Sequence, residues 1–293
     1  MIPTRDRHRQ LRTAVASALG QDLDVEVIVV DDGSTEIVDL SPDPRLTVLR
    51  HHHSQGSSCA RNVGAAKART RWVTWLDDDD ELLPQAARIS LQAIQESHLP
   101  PPIAAISGLV VIGSEGRELE RRLPPRAMPR GSHFWLEQRV VGSYYTKQTL
   151  VMERELFLRL GGYDPAFGSR VHSEFFLRLN AACSLAGIPE VTYRHNAHSG
   201  PRLSNDPHLR QRSFAMLVDK HQDLLRSHPA GYAAFLLEHA RTSWYIGQRG
   251  PAACAVLRAA RVAPAGTARR GLKAVRATPG LLLRTLGGRF ART

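Results

Sequence analysis

The chain has 293 residues, 42% apolar and 23% charged, which supports a real core and excludes wholesale disorder or a fibrous protein. No run approaches the ~20 apolar residues that cross a bilayer, and Cys59, Cys183 and Cys254 are too scattered for a disulfide framework, so the sequence predicts a soluble, cytoplasmic protein. The net charge of +11 is lopsided: nine basic residues and no acid lie from Pro251 onward, so residues 1–250 are near neutral and no nucleic-acid-binding face is expected.

Along the first part of the chain, short apolar runs alternate with helical patterns, which predicts βαβ units and an α/β fold with a mostly parallel sheet. Glu26–Val30 reads as a buried strand ending in Asp31-Asp32-Gly33-Ser34, and Leu46–Leu49 as a second strand. Ala60–Ala68 reads as a helix, and Trp72–Leu76 as a strand ending in four aspartates, Asp77 to Asp80. A helix over Pro84–Ser97 starts with proline where the missing N–H is tolerated, and Ile103–Ile112 returns as a strand.

The middle is less regular. Arg121–His133 reads as a loop, Thr149–Met152 as a strand, Arg154–Leu160 as a short helix and Gly161–Pro165 as a turn. Ser173–Ala186 has a helical period, and only helical patterns follow from about Leu209. Ala233–Tyr245 and Ala252–Val262 flank Gly247–Gly250 and should form a helical hairpin.

Two strands thus end in adjacent carboxylates, and ligands of open α/β sheets bind outside the carboxyl ends of strands. Both acidic clusters should therefore face one crevice. A divalent cation relieves the repulsion among four consecutive aspartates, because hard cations take carboxylate oxygens and often share phosphate ligands. His51-His52-His53 reads instead as a solvated turn, since neighbours on a strand end point to opposite faces.

Four segments now occur in order: Ile2-Pro3-Thr4, Val29-Val30-Asp31-Asp32-Gly33-Ser34, Gly56 to Gly64 with Ala60-Arg61-Asn62, and Trp75-Leu76-Asp77-Asp78-Asp79-Asp80 through Pro84. Together they resemble the nucleotide-sugar-binding half of family 2 glycosyltransferases, which have the GT-A fold, and the resemblance extends over about residues 1–200. It implies that Pro3, Thr4, Asp31, Asp32, Arg61, Asp77 and Asp78 bind the nucleotide-diphospho-sugar donor. Pro3 and Asp32 would meet the base, and Arg61 the base and diphosphate. Asp77-x-Asp79 matches the D-x-D motif at the metal, with Asp79 the direct ligand of Mn²⁺ or Mg²⁺ and Asp80 adjoining it. The chemistry agrees, because a bridging cation stabilises charge developing on a departing diphosphate.

Leu158 to Pro165 resembles the family's turn before the catalytic helix, and His172-Ser-Glu174 to Leu179 the segment that usually carries Glu-Asp-x-Asp. Here Val171 and His172 stand where Glu-Asp is usual, which leaves two candidates for the base that takes the acceptor hydroxyl proton: Glu174, favoured, with His172 assisting. The polar segment from Tyr193 to Ser204 resembles the family's mobile donor-covering loop, so that His198 would complete the metal shell and Arg202 clamp phosphate. The implied reaction is inverting transfer to an acceptor hydroxyl on a lipid-linked glycan, polysaccharide or small molecule. The alternative is a catalytically degenerate nucleotide-sugar-binding or scaffold protein of the same fold.

The expected organisation is a GT-A domain over 1–208, with donor half 1–112 and acceptor half 113–208, then a helical extension over 209–263 and a basic tail over 264–293. The tail admits an interfacial helix on an anionic membrane, a contact with an anionic acceptor, or a poorly ordered end. Only Met1 precedes Ile2, where the family has several more apolar residues in its first strand. An upstream start and an incompletely filled central strand are expected from that.

Overall fold

The computed structural model describes residues 1–132, 143–197 and 206–265. The chain divides between Leu217 and Val218 into two compact units. In the first, β1 (Ile2–Thr4), β2 (Val27–Asp31) and β3 (Leu46–Arg50) form an all-parallel sheet in that order, with β2 in the middle. β2 is buried along its whole length, as expected for a continuous β-branched run in a parallel sheet. On α1 (His8–Leu19), Leu11, Ala14, Val15 and Ala18 recur at helical spacing and pack with Ile2, Val27, Val29 and Leu76. The helix α2 (Ser57–Lys67) follows β3.

A second, mixed sheet contains β4 (Trp72–Thr74), β5 (Glu81–Leu82), β6 (Ile103–Ile112), β9 (Val151–Glu153) and β10 (Ser184–Asn196) in the order β4-β9-β6-β10-β5. Two further strands, β7 (Glu118–Arg122) and β8 (Ala127–Met128), pair with β6 and β10. Met1 links the sheets: its amino group donates to Thr74 O at 2.9 Å, and its carbonyl accepts from Leu76 N at 3.0 Å. The helices of this half are α3 (Ala86–Gln95), α4 (Arg154–Arg159) and α5 (Val171–Ala182). The α/β class is as expected, although most pairs in the second sheet are antiparallel.

Three readings of the sequence need correction. Arg121–His133 is not simply a loop, because Arg121 and Arg122 close β7 and Ala127–Met128 form β8. β7 is polar and largely exposed, so it carries no apolar signal. The helix read to Ala186 ends at Ala182, because Ser184 onward pairs in parallel with β6 from Ile103. This long-range ladder overrides a local helical period. It also carries Tyr193 to Asn196, read as loop, into the strand.

An apolar cavity of about 310 Å³ lies between Val25–Ile28 and Trp72–Thr74, against Met1 and Leu76. Its lining takes in the start of β2, Val27 and Ile28, and none of the aspartates at the strand tips.

The division between the units falls inside α6 (Pro207–Lys220). In the second unit, α7 (Gln222–Ser227) precedes α8 (Pro229–Tyr245) and α9 (Arg249–Val262), which pack against each other as the expected hairpin. Their buried residues include Leu236 and Ala240 on α8 and Ala252, Ala255 and Ala259 on α9. No helix among the described residues is long and apolar enough to cross a membrane.

Candidate active site

Thr4, at the end of β1, joins the two acidic strand ends. Its carbonyl accepts from Asp32 N at 2.8 Å and its hydroxyl donates to Asp78 Oδ2 at 2.8 Å. Thr4 therefore brings the two carboxylate clusters side by side at the end of β1, with the buried Pro3 beside them.

The first cluster is held by its own loop. Asp31 Oδ1 accepts from Ser34 N at 2.8 Å, and Arg50 Nη1 lies 3.3 Å from Oδ2. Gly33, at φ +75°, leaves no room for a Cβ, which would fall 2.8 Å from Ser54 N. Asp32 accepts four hydrogen bonds: His51 Nδ1 and Gln55 N on Oδ1 at 2.8 Å each, and Ser54 Oγ at 2.7 Å and Gly56 N at 2.8 Å on Oδ2. Burial opposes its ionisation, but these donors prevail and hold the carboxyl below the usual range. The family resemblance assigns this residue to the nucleotide base, and its four hydrogen bonds also organise the turn into α2. His51 corrects the reading of a solvated triplet: its side chain is 10% exposed, while His52 and His53 face solvent.

The second cluster is matched by side-chain donors drawn from three elements. Arg61 Nη2 donates to Asp77 Oδ1 at 2.5 Å. Arg7 Nη1 donates to Asp78 Oδ1 at 3.1 Å and Asp79 Oδ2 at 2.8 Å. On Asp80, Oδ2 accepts from Tyr193 Oη at 2.8 Å and meets His195 Nδ1 at 2.9 Å, while Oδ1 accepts from Asn196 N at 2.9 Å. Burial pushes Asp78 up to about 6 and raises Asp80 as well. Burial also acts on Asp77, but Arg61 outweighs it and lowers that carboxyl. One ligand atom from each of Asp77, Asp79 and Asp80 lies within 4.8 Å of the others. Three hard oxygen donors in that span suit Mn²⁺ or Mg²⁺.

The acceptor-side residues assemble around Tyr163. Asn62 Nδ2 donates to Tyr163 O at 2.7 Å, and Asn62 Oδ1 accepts from Tyr163 N at 2.8 Å. Gly162, at φ +63°, lets that clamp close, since a Cβ there would lie 2.6 Å from Asn62 Oδ1. From the other side Arg178 donates to the carbonyls of Leu160 and Gly162. Its Nε and Nη2 donate to the two oxygens of Glu174 at 2.8 and 2.5 Å. Glu174 has no exposed surface. The favoured base is thus fully buried and paired with Arg178, which braces the Leu160–Tyr163 turn.

His172 is placed differently. It lies half-buried at the start of α5, with Nδ1 3.3 Å from Tyr163 Oη, and its ring meets Tyr163 edge-on at 5.3 Å. Burial, helped by Arg61, pushes the imidazole down to about 3, so it is neutral at pH 7. Lys147, buried nearby, is pushed down to about 7 by burial and by Arg170.

The sequence did not single out Arg7, Tyr163, Tyr193, His195 or Arg178 for these contacts. Tyr193 and His195 left a readable signal, because alternate residues of a strand share a face and both reach Asp80. Arg7 left a fainter one, a cation just beyond the first strand and opposite an acidic run. His198 and Arg202 lie outside the described residues.

The family model described as glycosyl transferase family 2 matches residues 1–159. An uncharacterized glycosyltransferase of Haemophilus influenzae is 26% identical over 182 residues, covering 61% of this chain and 60% of that protein. The GalNAc(5)-diNAcBac-PP-undecaprenol beta-1,3-glucosyltransferase of Campylobacter jejuni is 34% identical over 124 residues, covering 40% of this chain and 38% of that protein. The chain thus spans less than two thirds of either relative, 60% and 38% of their lengths. Among solved structures, TarS 1–349 of S. aureus in complex with UDP-GlcNAc aligns with a TM-score of 0.59 at 17% identity, over 89% of this chain and 80% of that one. At that identity the likeness concerns the fold.

Proposed function

The chain belongs to glycosyl transferase family 2, and on that premise we propose that it moves a sugar from a nucleoside-diphospho-sugar to an acceptor hydroxyl, with inversion at the anomeric carbon. The observation that carries the reading is the convergence of both acidic strand ends on Thr4, with the Arg61-Asn62 pair linking Asp77 to Tyr163 and His172. The donor half is residues 1–112 and the acceptor half 113–208, with 209–263 as a helical extension.

Asp77 and Asp79 would hold Mn²⁺ or Mg²⁺, whose chemistry is to neutralise charge growing on the departing diphosphate. Asp80 takes the supporting place, because Tyr193, His195 and Asn196 fill its oxygens. Arg61 sets Asp77 and adds positive charge where the diphosphate lies. His172 takes the hydroxyl proton. With its Nδ1–H donating to Tyr163 Oη, the Nε2 lone pair is left to accept, and the Asn62 clamp on Tyr163 fixes the ring. Attack by the deprotonating oxygen displaces the diphosphate in one step, without a covalent sugar–enzyme intermediate.

The donor base is read as uracil from the UDP and UDP-GlcNAc in the TarS structures, and the acceptor as a lipid-linked or polysaccharide glycan of the cell envelope from the Campylobacter relative. Peripheral contact of the basic tail with an anionic membrane would suit such an acceptor. The test incubates the full chain with Mn²⁺, UDP-sugars and undecaprenyl-diphosphate glycans, reading product configuration by NMR. An inverted product that His172→Ala abolishes is expected. A retained configuration would overturn the mechanism, and failure of every nucleotide sugar to turn over would overturn the activity.

A further inference from the structure

One cation in the crevice is not explained by the transfer chemistry. Arg7 comes from the turn between β1 and α1, and a single nitrogen, Nη1, bridges Asp78 and Asp79. The turn that delivers it is specially shaped. Asp6 adopts φ 54°, a left-handed conformation unfavourable for a residue with a side chain. It is tied down on both sides: Asp6 N donates to Ser34 Oγ at 2.9 Å, and Asp6 Oδ1 accepts from Thr35 N at 2.7 Å. The Asp31–Ser34 loop of one strand end thus aims Arg7 at the carboxylates of the other.

Asp79 Oδ2 receives Arg7 at 2.8 Å, and Asp79 is also the carboxylate read as the direct metal ligand. A guanidinium and a divalent ion on the same small carboxylate repel one another, so full coordination by Asp79 requires Arg7 to give way. Released from Asp79, the guanidinium still has Asp78 at 3.1 Å, and a diphosphate brings to the same strand ends an anion that a guanidinium recognises well. We propose that Arg7 is the resident cation of the donor site, occupying Asp79 until a divalent ion arrives and then transferring to the donor's diphosphate. This inference rests on the donor-site reading above and specifies how that site loads. Ion and nucleotide bind as a coupled pair, each strengthening the other by the same factor.

The test titrates the full-length protein with Mn²⁺ alone, following free Mn²⁺ by electron paramagnetic resonance, and repeats the titration with saturating UDP. Wild type, Arg7→Gln and Arg7→Lys are compared, each checked for folding by circular dichroism. Arg7→Gln is expected to bind Mn²⁺ alone about fivefold or more tightly than wild type, and to lose most of the enhancement that UDP gives wild type. Arg7→Lys keeps the charge and should stay near wild type for Mn²⁺ alone. Unchanged or weaker Mn²⁺ binding by Arg7→Gln, with wild type binding Mn²⁺ normally, overturns the role of Arg7 and leaves the metal site standing. Absence of Mn²⁺ binding by all three proteins, with or without UDP, removes the metal site and the inference with it. Should Arg7→Gln fail to fold, Arg7→Lys decides: a compact point charge without the bidentate fork that weakens UDP coupling supports the transfer, and unaltered coupling overturns it.

Discussion

The two acidic strand ends use nearly the same residues to opposite purposes. At the end of β2, Asp32 is satisfied by two backbone amides, a serine and a histidine from the segment His51–Gly56 between β3 and α2. At the end of β4, the partners of Asp77 and Asp79 are the ends of long side chains, Arg61 and Arg7. Backbone amides cannot leave without refolding the turn, whereas a guanidinium on a flexible stem can exchange one anion for another. Carboxylates of the first kind build the crevice, and those of the second kind can take a ligand. Glu174 also takes a guanidinium, but Arg178 is itself anchored on the Leu160 and Gly162 carbonyls, so this carboxylate too is part of a fixed brace.

Substitution should separate the two kinds cleanly. The largest effect belongs to Asp79→Asn, which should lower transfer by about 100- to 1,000-fold while leaving the melting temperature nearly unchanged. Glu174→Gln should do the reverse. Leaving Arg178 with a neutral partner in a sealed site should cost roughly 3 kcal/mol in denaturant unfolding. Asp32→Asn keeps the shape but weakens four hydrogen bonds, for a loss of about 2 kcal/mol. If Asp32→Asn instead abolished nucleotide binding in a protein of unchanged stability, Asp32 would be reading the base and the distinction between the two ends would fail.

The parts legible in the sequence were those set by local pattern. Val27–Val30 announced a buried strand, and the aspartates announced the strand tips, because apolar runs and charge runs need no knowledge of the fold. Ile103–Ile112 was placed to the residue. What escaped depended on partners far away in sequence. Tyr193 and His195 looked like loop until β10 paired with β6 and β5 and brought them beside Asp80, more than 100 positions away. Glu174 looked like a base because its helix position was right, and only the Arg178 contact and the closed turn above it reveal a brace. Motif spacing reports where a residue sits along the chain, while role depends on what already occupies its polar atoms.

The smallest expected effect tests His172 through pH. Its imidazole is pushed down to about 3, against about 6.5 in an unfolded chain, chiefly by burial. Above pH 6.5 the group is neutral in both states and costs nothing. As pH falls from 6.5 toward 3, the unfolded chain binds the proton and the folded one resists it, so stability is lost over that window. His172→Asn removes this contribution, and its melting temperature should fall less than wild type's between pH 7.5 and 4.5. The kinetic counterpart is that kcat/KM, which reports the free enzyme, should show no acid limb near 6.5 arising from this residue. A limb at 6.5 that His172→Asn erases from any residual activity would mean that the imidazole is fully solvated, and the Tyr163 contact would no longer explain how the base is held.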